Sequence, residues 1–224
     1  MTRQLEIVCT SLRDAVDAQQ GGANRIELCA RLSTGGLTPS AALLRKVKAS
    51  VRIPVFVLIR PRGGDFCYTD AEWARLLRQI AEAKANGADG IVCGALLADG
   101  RLDVLRAAEM VAAAAPLPFT FHRAFDRCSD PLNAIDQLAK LGVQRILTSG
   151  QYPNALAGID NLKTYHQYAA GRLTILVGGG VRPENLQQLM QVEGLKEFHS
   201  SGRGGDGQGR RIRKAVEAMR AKLL

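Results

Sequence analysis

In Gly22-Ala23-Asn24-Arg25-Ile26-Glu27-Leu28-Cys29 a helix-ending glycine, a short polar loop and a β-prone run follow one another. The pair Gly21-Gly22 closes a polar helical segment, a short loop follows, and a β-prone run begins at Arg25. That is a helix C-terminus feeding a buried strand. The same joint returns at Gly87-Ala88-Asp89-Gly90-Ile91 and at Gly142-Val143-Gln144-Arg145-Ile146. A repeated helix-to-strand joint predicts parallel βαβ units, because parallel strands need a crossover element between them.

Outward from these joints, eight short β-rich runs alternate with helical patterns. The predicted strands are Leu5 to Cys9, Arg25 to Cys29, Pro54 to Arg60, Gly90 to Cys93, Pro118 to His122, Arg145 to Ser149, Leu173 to Val177 and Lys196 to His199. Amphipathic helices lie between them, for example Asp70 to Lys84 with Trp73, Leu76, Leu77 and Ile80 on one stripe. Ser11 and Asp70 are expected N-caps, and Pro39, Pro131 and Pro183 are expected in first turns. Eight such units in 224 residues predict an α/β fold, a (β/α)8 TIM barrel forming a single domain over residues 1–224. A doubly wound open sheet is the alternative, but no GxGxxG follows the first strand.

Composition narrows the function classes. A hydrophobic content of 46% allows a large core. No apolar run is long enough for a membrane span, and Met1 to Glu6 carries no signal-peptide pattern, so the expectation is a cytoplasmic protein that does not engage a membrane. Five cysteines without CxxC spacing argue for reduced thiols rather than a disulfide framework. The formal charge of +9 raises a nucleic-acid reading, but the basic residues are scattered. Their one dense cluster, Arg210, Arg211, Arg213 and Lys214, has no nucleic-acid motif beside it. The expected partner is therefore a small anion rather than nucleic acid.

Barrels of this kind place their chemistry at the C-terminal ends of the strands. Side-chain alternation turns Glu6 and Val8 of strand one and Glu27 and Cys29 of strand two toward the lumen. Arg60 ends strand three, His122 ends strand five, and His199 ends strand eight. Buried charges of this number must be paired, which makes Glu6 and Glu197, deeper in their strands, structural candidates. Glu27, Arg60 and His122 lie nearer the rim. Arg60-Pro61-Arg62-Gly63-Gly64-Asp65 adds a second guanidinium, and His122-Arg123-Ala124-Phe125-Asp126 adds another with a carboxylate. Glu27, His122 and Asp126 are the expected proton-transfer groups. Arg60, Arg62 and Arg123 are the expected anion-binding side chains.

Val177-Gly178-Gly179-Gly180-Val181 and His199-Ser200-Ser201-Gly202 fall where barrels of this type bind phosphate through backbone N–H groups. Thr148-Ser149-Gly150 adds hydroxyls beside them. Ser149, Gly179, Gly180, Ser200 and Ser201 therefore join the expected anion site. The cysteines Cys9, Cys29 and Cys93 end strands, while Cys67 and Cys128 follow strands three and five, so all five lie toward one face. Thiolates suit Cu(I), and cysteine is equally a small apolar core residue, so spacing alone does not define a metal site.

The chain resembles the CutC family of copper-homeostasis proteins along nearly its whole length. The resemblance rests on Arg25-Ile26-Glu27-Leu28-Cys29-Ala30, Gly35-Gly36-Leu37-Thr38-Pro39-Ser40, Ile59 through Phe66, Thr120-Phe121-His122-Arg123-Ala124-Phe125-Asp126, Leu147-Thr148-Ser149-Gly150 and His199-Ser200. It implies a TIM barrel, a cytoplasmic setting, a homodimer or higher homo-oligomer, and a role in copper handling with Cu(I) as the expected metal. It implies Cys29 as a copper ligand. Relatives carry a second cysteine two residues after the first-strand Glu, where this chain has Val8. The neighbouring Cys9 is the candidate second ligand, but its strand parity is opposite and only a bulge would turn it inward. Relatives also carry a longer segment after strand eight than Ser201 to Gly209 here. Two functions follow as expectations: Cu(I) binding through Cys29 and Cys9, or an enzyme acting on a small anionic or phosphorylated metabolite.

Overall fold

The computed structural model describes residues 3–202 and 212–223. Eight parallel strands close into one barrel in sequence order: β1 (Gln4–Cys9), β2 (Arg25–Leu28), β3 (Val55–Leu58), β4 (Gly90–Cys93), β5 (Phe119–Phe121), β6 (Arg145–Thr148), β7 (Thr174–Val177) and β8 (Glu197–Ser200). The helices are α1 (Leu12–Gln20), α2 (Ala41–Ser50), α3 (Asp70–Ala85), α4 (Val104–Ala114), α5 (Pro131–Lys140), α6 (Ile159–Ala169), α7 (Leu186–Leu189) and α8 (Ile212–Leu223). The expected (β/α)8 barrel is the one that forms. Cys29, Arg60, His122 and Ser149, expected as last strand residues, fall just beyond the paired segments. Cys29 and His122 still donate their backbone N–H groups to the neighbouring Cys9 and Cys93 carbonyls, both at 3.0 Å.

Local signals start the helices with some shifts. Ser11 caps α1 as expected, accepting from the Asp14 N–H, and Pro131 occupies the first turn of α5. The cap of α3 is Thr69 rather than Asp70. Its hydroxyl accepts from the Glu72 N–H, and the Glu72 carboxylate accepts from the Thr69 N–H. This reciprocal pair satisfies two donors that Asp70 alone could not. Pro39 precedes the α2 cap Ser40, and Pro183 lies in the turn before α7. Arg210, Arg211 and most of the segment after β8 lie outside the described residues.

The strands alternate between two cores. Leu5, Ile7 and Cys9 of β1 and Ile26 and Leu28 of β2 pack outward into the large core beneath the helices. Val8, Cys29, Phe56, Leu58 and Val92 form a separate small core inside the barrel. Phe56 fills its layer because β4 begins with glycine: a Cβ at Gly90 would stand 2.6 Å from the Phe56 ring. On the helical side, the fully buried Leu76 and Ile80 of α3 each contribute about 2 kcal/mol of burial.

Candidate active site

The floor of the barrel is a chain of ion pairs. Arg25 pairs with Glu6 and donates to Glu197 Oε2 at 2.8 Å, and Arg145 Nε reaches the same Glu197 oxygen at 2.8 Å. Both guanidinium groups lie over the Phe56 ring, at 4.9 and 5.6 Å. Glu6 Oε1 meets His199 Nδ1 at 2.7 Å. Register explains these contacts, since Glu6 stands opposite Arg25 on β2 and opposite His199 on β8. Burial works against ionising Glu6, but the Arg25 charge and the His199 hydrogen bond overcome it and hold the carboxyl down at about 2.

Glu27 stands one layer higher on β2. Its carboxylate, the nearest Glu6 oxygen and a His199 ring nitrogen all lie within 4.8 Å of one another. Burial pushes the Glu27 carboxyl up to about 7, with the His199 charge opposing and Glu6 adding to the rise. Burial also opposes the imidazolium of His199, yet the carboxylates of Glu27 and Glu6 outweigh it and raise its pKa. Glu27 and His199 thus form a buried acid–base pair in which the Glu27 carboxyl is held near neutrality and the His199 imidazolium is favoured. The buried Glu6 carboxylate orients the imidazole from behind.

Above this pair opens a cavity of about 280 Å³ at the C-terminal rim. Glu27, Arg60, His122, Arg123, Gly179, Gly180, His199, Ser200 and Ser201 are among the residues that line it. Arg60, only 6% exposed, is held by the carbonyls of Thr34, Gly36 and Gly64 and lies 4.8 Å above the Phe66 ring. It forms no ion pair with any carboxylate among the described residues, and its Nε is buried with no well-formed hydrogen bond, the Tyr68 hydroxyl being the polar side chain beside the guanidinium. On the far side, Gly179 and Gly180 both take positive φ, 91° and 74°. Their N–H groups meet no protein acceptor among the described residues. A Cβ at Gly179 would stand 2.8 Å from the Ser149 Cβ, so this turn approaches its neighbours closely.

His122 is a buried part of the cavity wall. It caps the 3-10 turn Arg123–Arg127, its Nδ1 accepting the Ala124 N–H at 3.2 Å. Burial, with the charge of Arg60 beside it, pulls its pKa down to about 3, so the ring is neutral.

The structure thus brings Glu27, Arg60, His122, Arg123, Gly179, Gly180, Ser200 and Ser201 to one cavity and leaves other expected residues outside its lining. Arg62 is turned away. It pairs with Glu72 at 2.6 Å and Asp65 at 2.8 Å and stacks on Tyr68, which anchors the loop to α3. Asp126 and Ser149 support the rim. The Asp126 carboxylate accepts from Arg123 Nε, the Thr148 and Ser149 hydroxyls, and the Ser149 and Gln151 N–H groups. Ser149 in turn accepts from Arg123. Asp126 therefore aims Arg123, and its five donors leave it no room to serve as a base. Sequence reasoning brought His199 to the rim without giving it a role, and it missed Arg182 and Phe66 as cavity residues. For His199 the usable signal was its parity with Glu197.

Cys9 and Cys29 have neighbouring backbones, the Cys29 N–H donating to the Cys9 carbonyl at 3.0 Å, yet their side chains take opposite sides of the barrel wall. No bulge turns Cys9 inward: β1 keeps an unbroken register against β2 through the pair Cys9–Leu28. Among the described residues, the one close grouping of three metal-capable side chains is Glu6, Glu27 and His199, which contains no sulfur. Those donors do not fit a two-thiolate Cu(I) site.

Fold and cavity together define a (β/α)8-barrel protein with a charged, small-molecule-sized cleft at its strand C-termini. The chain belongs to the CutC family, whose model matches residues 3–204. The copper homeostasis protein cutC homolog of Homo sapiens is 47% identical over 219 residues, covering 98% of this chain and 80% of the human protein. The family protein CutC of Citrobacter koseri is 49% identical over 197 residues, covering 88% and 79%. The crystal structure of CutC from Streptococcus agalactiae superposes with a TM-score of 0.85 at 34% identity, covering 89% of this chain and 98% of that one. Among the described residues, no helix is long and apolar enough to cross a membrane.

Proposed function

We propose that this barrel is an enzyme that moves protons on a small anionic metabolite. The observation that carries the reading is Arg60, a buried guanidinium on the cavity wall with no carboxylate partner among the described residues. Leaving such a charge uncompensated is costly, and an anionic ligand in the cavity supplies the missing partner. Gly179 and Gly180 offer backbone donors to the same ligand, and Arg123 and Arg182 border the cavity. Glu27 and His199 supply the acid and base. Inorganic phosphate at a hundred times its dissociation constant is expected to stabilise the protein by about 2.7 kcal/mol in thermal unfolding. Arg60→Gln should abolish that gain. A wild-type protein whose Tm ignores phosphate and sulfate alike overturns the reading.

A second reading, participation in copper homeostasis, follows from the names of the relatives and from the Cys29 thiol in the lumen. In this chain Cu(I) would have one lumenal thiolate at that level, because Val8 stands at the other family position. Anaerobic titration of Cu(I) against a chelator is expected to show affinity that falls at least about tenfold in Cys29→Ser and is unchanged in Cys9→Ser. Equal affinity in all three proteins removes Cys29 as a ligand.

A further inference from the structure

We propose that His122 is a catalytic hydrogen-bond donor, its Nε2–H aimed at the carbonyl oxygen of a small oxo substrate, with Glu27 as the base that takes a proton from the adjacent carbon. This rests on the enzyme reading above and narrows it to a substrate class: a small oxo compound with an anionic group and a C–H beside the carbonyl.

Six buried side-chain polar atoms have no hydrogen-bond partner among the described residues: Glu27 Oε2, Arg60 Nε, Tyr68 Oη, Thr120 Oγ1, His122 Nε2 and Arg145 NH1. Three of them, on Glu27, Arg60 and His122, belong to residues lining the one rim cavity. A buried polar atom without a partner is costly, so three on residues of one cavity describe a ligand by complement. Their chemistry differs. Arg60 Nε is a donor and Glu27 Oε2 an acceptor. For His122 the backbone decides: the Ala124 N–H occupies the Nδ1 lone pair, which leaves the ring proton on Nε2. The ring packs on Gly94, where a Cβ would stand 2.7 Å from Nδ1 and 2.9 Å from Cε1, so the imidazole has no room to turn. Phe66 fixes both donors, its ring 4.9 Å from the imidazole centroid and 4.8 Å from the Arg60 guanidinium carbon.

Two fixed donors beside one acceptor match an enolate-forming step. The C–H bond next to the carbonyl breaks and its proton passes to the Glu27 carboxylate. The C–H electron pair becomes the enolate C=C bond as the carbonyl π pair moves onto oxygen. That oxyanion accepts a hydrogen bond from His122 Nε2, a donor placed where negative charge develops. A neutral imidazole suits the task, since its N–H polarises the oxygen without surrendering a full proton. The anionic group of the substrate lies between Arg60 and the Gly179–Gly180 backbone donors.

The probe is phosphoglycolohydroxamate, which joins a phosphate to an enediolate-like hydroxamate. Wild-type protein should bind it about a hundredfold tighter than inorganic phosphate in calorimetric titration. His122→Leu should lose that gain and keep its phosphate affinity. Phosphate binding with no hydroxamate gain, or a gain that survives in His122→Leu, overturns the assignment of His122 and leaves the anion site standing. Failure of both ligands to bind overturns the enzyme reading and this inference with it. Independently of any ligand, long-range proton–nitrogen NMR on imidazole-labelled wild-type protein should show the His122 ring neutral and Nε2-protonated from pH 5 to 8. An Nδ1-protonated or cationic ring overturns the proposal even where the leucine variant does not fold.

Discussion

Arg25→Met is expected to lower the folding free energy by about 3–5 kcal/mol, the cost of breaking a buried ion pair from one side. Arg25 is the hub of the barrel floor, joining Glu6 and Glu197 while stacking on Phe56. Methionine replaces its stem but not its charge. Glu6 would keep only the His199 ring nitrogen, in a position with no side-chain exposure to water. Glu197 fares better because Arg145 still reaches it. The paired change Arg25→Met with Glu6→Gln should therefore recover part of the loss, since it removes the stranded carboxylate together with its partner. Urea unfolding of the three proteins measures this. A single-variant loss below about 1 kcal/mol, or a double variant no better than the single, would show that the floor pairs are dispensable.

His122→Gln should make the protein more resistant to acid. His122 has its pKa pulled from 6.5 to about 3 by burial and by Arg60, so the folded state binds fewer protons here than the unfolded chain. Stability from this residue is complete above about pH 6.5 and is lost progressively as pH falls toward 3. Glutamine retains an acceptor for the Ala124 N–H and does not titrate. Relative to the wild type, the variant should gain about 3 kcal/mol between pH 7 and pH 4, by the linkage of 1.36 kcal/mol per unit. Glu27, with its pKa raised to about 7 from 4.5, works in the opposite direction: its contribution grows as pH falls from 7 toward 4.5. Glu27 is present in both proteins, so the difference between them isolates His122. Parallel stability–pH curves would refute the buried neutral ring.

Much of the barrel was legible from residue order. The helix-end glycines mark the joints, and period-two alternation sorts Glu6, Glu27 and Cys29 inward and Cys9 outward, as the two cores confirm. The same parity brings Arg60 and His122 to the rim. Loop residues were not legible in this way. Arg62 follows Arg60 by two positions, yet it points into the loop because Asp65 and Glu72 capture it. Asp126 reads as a base beside His122, whereas five donors make it a scaffold for Arg123 and Ser149. Such capture depends on where a loop returns, which no short-range pattern records.

Residue order alone specifies the (β/α)8 architecture and which face of each strand meets the lumen, because joints and alternation are local and repeat with the chain. Tertiary structure decided who meets whom inside. Closure of β8 onto β1 brings His199 to Glu6 across 193 positions and completes the Glu27–His199 pair. Burial in that closed lumen, where water cannot solvate charge, then raises the Glu27 pKa, lowers that of His122 and leaves Glu27 Oε2 and His122 Nε2 without partners among the described residues. Those are properties of an enclosed volume, and no single segment of the chain contains them.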